Sequence, residues 1–170
     1  YLGDVAVDSK GDVFVAESQT NERITKLSPD WKILKQWGGR GPEPGQFSRI
    51  RALAIDPQDR LYVADACNHR IQVFDDAGKL LRILGTPGSG PGQLDYPYDV
   101  AVAPDGTLVV CEYGNQRVQR FSLEGTSLGT WGRPGREPGE LWNPWAVGVD
   151  SRGRVFVVDS NNHRLQRVRF

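Results

Sequence analysis

Histidine and cysteine are scarce in this chain, with two of each among 170 residues. Cys67 and Cys111 do not form a metal-binding spacing, and they read as free or paired with equal ease. No Ser-His-Asp set suggests itself, since histidines are few and no nucleophile elbow accompanies them. Net charge is absent as well: 21 Lys and Arg balance 21 Asp and Glu, so no overall field draws nucleic acid or an anionic membrane. No apolar run approaches the roughly 20 residues of a membrane helix, so no membrane insertion is expected. No signal-peptide pattern is seen within these residues, and they include no methionine. Tyr1 is therefore expected to follow a cleaved leader or an upstream stretch of chain.

Turn-forming residues are what the chain has in quantity, with 20 Gly and 11 Pro. The apolar runs between them are short and regular, which points to an all-β architecture rather than disorder. The dominant feature is a repeat of 47 residues. Arg23, Arg70, Arg117 and Arg164 keep this step, as do Gly38, Gly85 and Gly132. The triplets "PGQ", "PGQ" and "PGE" at Pro44, Pro91 and Pro138 keep it too, each followed by Phe47, Leu94 or Leu141. The apolar triplets starting at Val5, Leu53, Val100 and Val147 hold it within one residue, the extra one lying in "ESQTNER".

Each unit reads as four short strands. In the second they are Ala52–Asp56, Leu61–Asp65, Arg70–Phe74 and Leu80–Gly85, separated by polar turns. No segment carries a convincing 3.6-residue period, so no helix is predicted. Four antiparallel strands per unit, repeated about an axis, make β-propeller blades. The predicted units are 2–49, 50–96, 97–143 and 144–170, the last without its outer strand, or about 3.75 blades.

"NHR" at Asn68–Arg70 and Asn162–Arg164, with "ADACNHRIQVF", "GKLLRILG" and "PGQL", resembles the NHL-repeat β-propeller family over the whole chain. That resemblance implies a six-bladed ring. Three arrangements then offer themselves: further blades upstream, which is favoured, association of copies through open blade faces, or a closed four-bladed ring. It also raises the zinc lyases built on this fold, whose site needs inward-facing histidines that this chain does not supply.

Candidate residues fall into two sets. Glu17, Asp65, Glu112 and Asp159 close the second strand of each unit. They are expected to pair with Arg23, Arg70, Arg117 and Arg164 as structural blade pairs. The long loops between units should share one face, the top, with the turns after those carboxylates. They deliver Arg51, Tyr98 and Trp145, with Arg49, Tyr96 and Asn143 two residues earlier, to the rim of a central opening. Flat, rigid side chains there suit recognition, and Tyr98 and Trp145 are expected to tolerate truncation together with little loss of folding.

The leading reading is a non-catalytic scaffold that binds a protein, peptide or other ligand on the top face. A second is single-stranded RNA binding, with bases stacked on Tyr98 and Trp145 and phosphates on Arg49 and Arg51. Glu43, Asp95, Glu137 and Glu140 in the same loops oppose it. A third is a propeller lyase or hydrolase with a central metal, for which Leu2, Arg51, Tyr98 and Trp145 at the starts of the inner strands are a poor ligand set. No catalytic residue, metal or cofactor is predicted. Compartment is left open, with a lean towards a secreted or periplasmic one.

Overall fold

The computed structural model describes residues 1–170. The first sheet holds β1 (Leu2–Val7), β2 (Val13–Glu17), β3 (Arg23–Leu27) and β4 (Ile33–Gly38) in that order. The second holds β5 (Ile50–Ile55), β6 (Leu61–Asp65), β7 (Arg70–Phe74) and β8 (Leu80–Leu84). The third holds β9 (Pro97–Val102), β10 (Thr107–Glu112), β11 (Arg117–Ser122) and β12 (Ser127–Trp131). The last has three strands, β13 (Pro144–Val149), β14 (Val155–Asp159) and β15 (Arg164–Val168). All pairings within the sheets are antiparallel. The two middle strands foreseen for the second unit match to the residue. The only helical features are single 3₁₀ turns at Ala66–Asn68 and Ser160–Asn162, inside segments read from sequence as plain turns.

The first strands of the sheets, β1, β5, β9 and β13, stand side by side along the axis, each packed on the next. Burial explains the composition of the strands. In the second sheet, β6 and β7 are buried at every position because a blade covers each face. In the first sheet, β2 alternates half-buried and buried because only one face is covered. Three apolar cores fill the gaps between blades. Phe14, Ile24, Leu61 and Phe74 meet between the first and second. Tyr62, Ile71, Leu108 and Phe121 meet between the second and third, and Cys111, Val118, Val155 and Val168 between the third and fourth. Each fully buried large side chain stabilises by roughly 1.5–3 kcal/mol. The first and last blades do not cover one another: Val5 is 57% exposed on one and Leu165 64% on the other.

The loops between blades carry a plug. Phe47, Leu94 and Leu141, each just after the Pro-Gly triplet, are fully buried between neighbouring blades. The backbone folds back to bond them: Phe47 N–H donates to Gly39 O, Leu94 N–H to Thr86 O, and Leu141 N–H to Arg133 O. Three loops of different sequence thus take one compact conformation, which gives the top face a fixed rim. Both cysteines are free thiols. Cys111 is buried, and burial pushes its thiol well above the ordinary range.

Candidate functional site

The rim is set by a polar hub repeated in the blades. In the second blade Asp65 is fully buried and accepts from Ser48 N–H at 2.7 Å, Arg70 Nε at 2.8 Å, and Gln72 Nε2 at 3.0 Å. Asn68 Nδ2 reaches it at 2.9 Å. Arg70 and Gln72 pass the link on, donating to the carbonyls of Glu43 and Gln46 in the incoming loop. The third blade repeats this with Glu112, Asn115, Arg117 and Gln119, and the fourth with Asp159, Asn162, Arg164 and Gln166. The hub of the first blade is built from fewer groups. There Glu17 accepts from Arg23 Nε at 2.7 Å and from Thr25 and Asn21, and the Arg23 contact above all holds its carboxyl down at about 2.

The same donors act differently with depth. Burial in the interior blade holds the Asp65 carboxyl above its ordinary value despite its donors. At the open end, burial also raises Asp159, but the Trp142 N–H, Asn162, Arg164 and Gln166 together outweigh it and the group lies below.

The residue before each hub arginine, Glu22, His69, Gln116 or His163, has a left-handed backbone, with φ from 48° to 54°. Backbone shape rather than imidazole chemistry is what this position requires, so the side chain varies. His69 Nδ1 lies 2.9 Å from Asp95 Oδ1 in the next loop, and its ring packs 4.6 Å from Tyr96.

Arg51, Tyr98 and Trp145 do converge, and β-bulges are the reason. The register of β5 on β6 shifts between Ile50 and Ala52, that of β9 on β10 between Pro97 and Asp99, and that of β13 on β14 between Pro144 and Ala146. Each bulge leaves one of the three residues unpaired and re-aims it. The counterpart in β1 is Gly3, inside the shift between Leu2 and Asp4. Leu2 was expected to hold that place; the extra residue in "ESQTNER" moves the true equivalent by one. Gly3, Arg51, Tyr98 and Trp145 line one cavity of about 270 Å³ at the axis, together with Asp4 and Asp99.

The Arg51 guanidinium carbon lies 4.5 Å from the Tyr98 ring centre and 4.7 Å from that of Trp145. Tyr98 stacks on Tyr113 at 4.4 Å, and Trp145 stands edge-on to Tyr98 at 5.3 Å. Arg49 reaches Tyr98 from the rim at 5.7 Å. Tyr96 instead turns to His69, and neither it nor Asn143 lines the cavity. Tyr98 is only 7% exposed, whereas Trp145 is 48% exposed. The expectation that both can be truncated with little loss of folding is thereby corrected: Tyr98 is packing as well as surface, and Trp145→Ala is the clean probe.

Sequence reasoning missed Tyr113, Asp4 and Asp99. Tyr113 follows its hub carboxylate where the other blades have Ser18, Ala66 and Ser160, so a bulky ring among small residues was the available signal. Asp4 and Asp99 precede the inner apolar triplets, where the alternate blades have Ala52 and Ala146. Each clamps its own strand to the next: Asp4 accepts from Val5 and Leu53 N–H, Asp99 from Val100 and Val147 N–H.

Burial pushes the Asp99 carboxyl up to about 6 against these N–H groups, with Asp4 adding repulsion and Arg51 opposing it. An unfolded Asp titrates near 3.9, so the folded chain binds this proton more tightly. The resulting stability is full below about pH 4 and is lost as pH rises through 6. Between those limits the wild type should lose about 2–3 kcal/mol at this group. In Asp99→Asn that segment of the denaturation-midpoint-versus-pH curve should flatten. Parallel curves for the two proteins would contradict it.

No three His, Cys, Asp or Glu side chains converge as a metal-binding group, and no helix is long and apolar enough to cross a membrane.

Inner strands at an axis, stacked blades and loops on one face define a β-propeller. Residues 47–74, 94–121 and 141–168 match the NHL repeat family, and the chain belongs to the NHL-repeat β-propellers. It is 49% identical over 71 residues to rat (Rattus norvegicus) peptidylglycine alpha-amidating monooxygenase, a match covering 38% of this chain and 7% of that protein. Virginiamycin B lyase from Staphylococcus aureus superposes with a TM-score of 0.76 at 17% identity, over 98% of this chain and 52% of that one. The WD40 β-propeller domain of Doa1 gives 0.72 at 21% identity, over 98% and 49%. These two likenesses speak to fold alone. The chain spans under a tenth of that curated relative and about half of each solved chain.

Proposed function

We propose that this chain is a binding module that takes a protein or peptide ligand at the axial mouth on its top face. Arg51, Tyr98 and Trp145, placed by three equivalent bulges in one cavity, carry this reading. A rigid frame with a preformed concave mouth and flat, low-entropy side chains suits recognition. Single-stranded RNA is the second reading, favoured by the stacked cations and rings, but Asp4 and Asp99 in the cavity work against a polyanion.

Selection of a random displayed peptide library against the protein should yield binders that shield Trp145 fluorescence from an aqueous quencher. Trp145→Ala should weaken them by about 2–4 kcal/mol, in the range of a buried aromatic anchor, with an unchanged melting curve. Binders indifferent to Trp145→Ala would place the site elsewhere.

A further inference from the structure

The cation at the centre of the mouth has no direct ion-pair partner, although Asp4 and Asp99 line the same cavity. The hub arginines Arg70, Arg117 and Arg164 each sit within 2.8 Å of a carboxylate. Arg51 forms no such pair, and its Nε is buried without a hydrogen-bond partner. A buried N–H left unsatisfied is costly, and the rest of the half-buried Arg51 fork can take an acceptor supplied from outside.

The geometry restricts that acceptor. Tyr98 and Trp145 both lie against the guanidinium at under 5 Å, which leaves its N–H edge as the open approach. An edge presenting parallel N–H groups fits a planar, bidentate partner. The cavity of about 270 Å³ leaves space for one: the fourth bulge position, Gly3, adds no side chain to the lining, and Tyr1 borders it from the exposed start of the chain. The acids nearest to hand do not serve: all four carboxylate oxygens of Asp4 and Asp99 accept backbone N–H groups of the inner strands. Their charge makes the mouth a poor host for a multiply charged anion and a tolerable one for a single negative charge.

We propose that the mouth recognises a carboxylate of its ligand, bound edge-on by Arg51 between Tyr98 and Trp145; this rests on the reading of the mouth as the binding site. The ligand class is an acidic peptide or another molecule that joins a carboxylate to an apolar body. The apolar body packs on the half-exposed face of Trp145, while the carboxylate satisfies the Arg51 edge.

The test uses three small probes: 3-phenylpropanoate, its uncharged amide 3-phenylpropanamide, and dimethyl phosphate. The readouts are the amide-type NMR signals of Arg51 Nε–H and Trp145 Nε1–H in the wild type, Arg51→Gln and Arg51→Lys. The acid should shift both signals and bind roughly tenfold to a hundredfold tighter than the amide. Arg51→Gln should erase that preference while the spectrum stays folded, and Arg51→Lys should keep part of it, having charge without the fork. Acid and amide binding alike, both moving Trp145, would overturn the carboxylate proposal and leave the mouth standing as the site. Tighter binding of dimethyl phosphate than of the acid would overturn it in favour of a nucleic-acid backbone. Trp145 unmoved by every probe would overturn it together with the mouth reading.

Discussion

Asp65→Ala is expected to lower the free energy of unfolding by about 3–5 kcal/mol, the cost of breaking a buried ion pair by removing one partner. The effect is large because Asp65 is a hub and not one half of a pair. Its removal strands the Ser48 N–H, the Arg70 Nε, the Gln72 amide and the Asn68 amide together. The Arg70 side chain is 11% exposed, so water replaces the lost partner poorly. Glu17→Ala is the matched comparison. It removes the equivalent carboxylate where the Arg23 side chain is 39% exposed, so about 1 kcal/mol or less is expected. Denaturant midpoints of the two variants, with slopes checked for constancy, give the comparison directly. Equal losses would mean that the hub does not hold the loop to the blade.

Gly85→Ala should be nearly as damaging, for a steric reason. Gly85 closes β8 with φ of +85°, and a Cβ there would sit 2.5 Å from Leu94 Cδ1, the fully buried plug of the following loop. Gly92, in that same loop, has φ of +80° and nothing within 4 Å of a Cβ. Both substitutions carry the left-handed penalty of about 1 kcal/mol. Only the first adds the overpacking cost, about 1–3 kcal/mol more. Gly85→Ala should therefore fall at about 2–4 kcal/mol and Gly92→Ala at about 1. Similar losses for both would show that backbone conformation alone explains the glycine at the end of the outer strand.

These two expectations connect features that the sequence displays separately. The 47-residue step of glycine, Pro-Gly triplet, apolar plug and arginine is visible without coordinates. Its meaning is that the glycine admits the plug and the arginine ties down the loop that bears it. Strand positions were readable because Val, Ile, Tyr and Phe runs are bounded by Asp, Asn and Gly, and because each blade repeats them. The spatial meeting of Arg51, Tyr98 and Trp145 was readable from equal spacing alone. The bulges behind it were not, since a bulge is a matter of register between two strands and leaves no composition mark. Burial was the other blind spot. Tyr98 and Trp145 look alike along the chain, yet Tyr113, just past the end of β10, stacks face to face on Tyr98 at 4.4 Å and meets Trp145 only edge-on at 6.4 Å. Asp99 likewise reads as a surface acid until the neighbouring inner strand closes over it.

The central claim is that the carboxylate hubs of Asp65, Glu112 and Asp159 fix the loops entering their blades, so that the mouth holds one geometry. Native-state hydrogen exchange at three amides tests this most directly: Ser48, Asp95 and Trp142, which donate to Asp65, Glu112 and Asp159. The account predicts exchange as slow as that of amides in β6 and β10, through the same global opening. Exchange at these three sites as fast as that of an unbonded loop amide would contradict it.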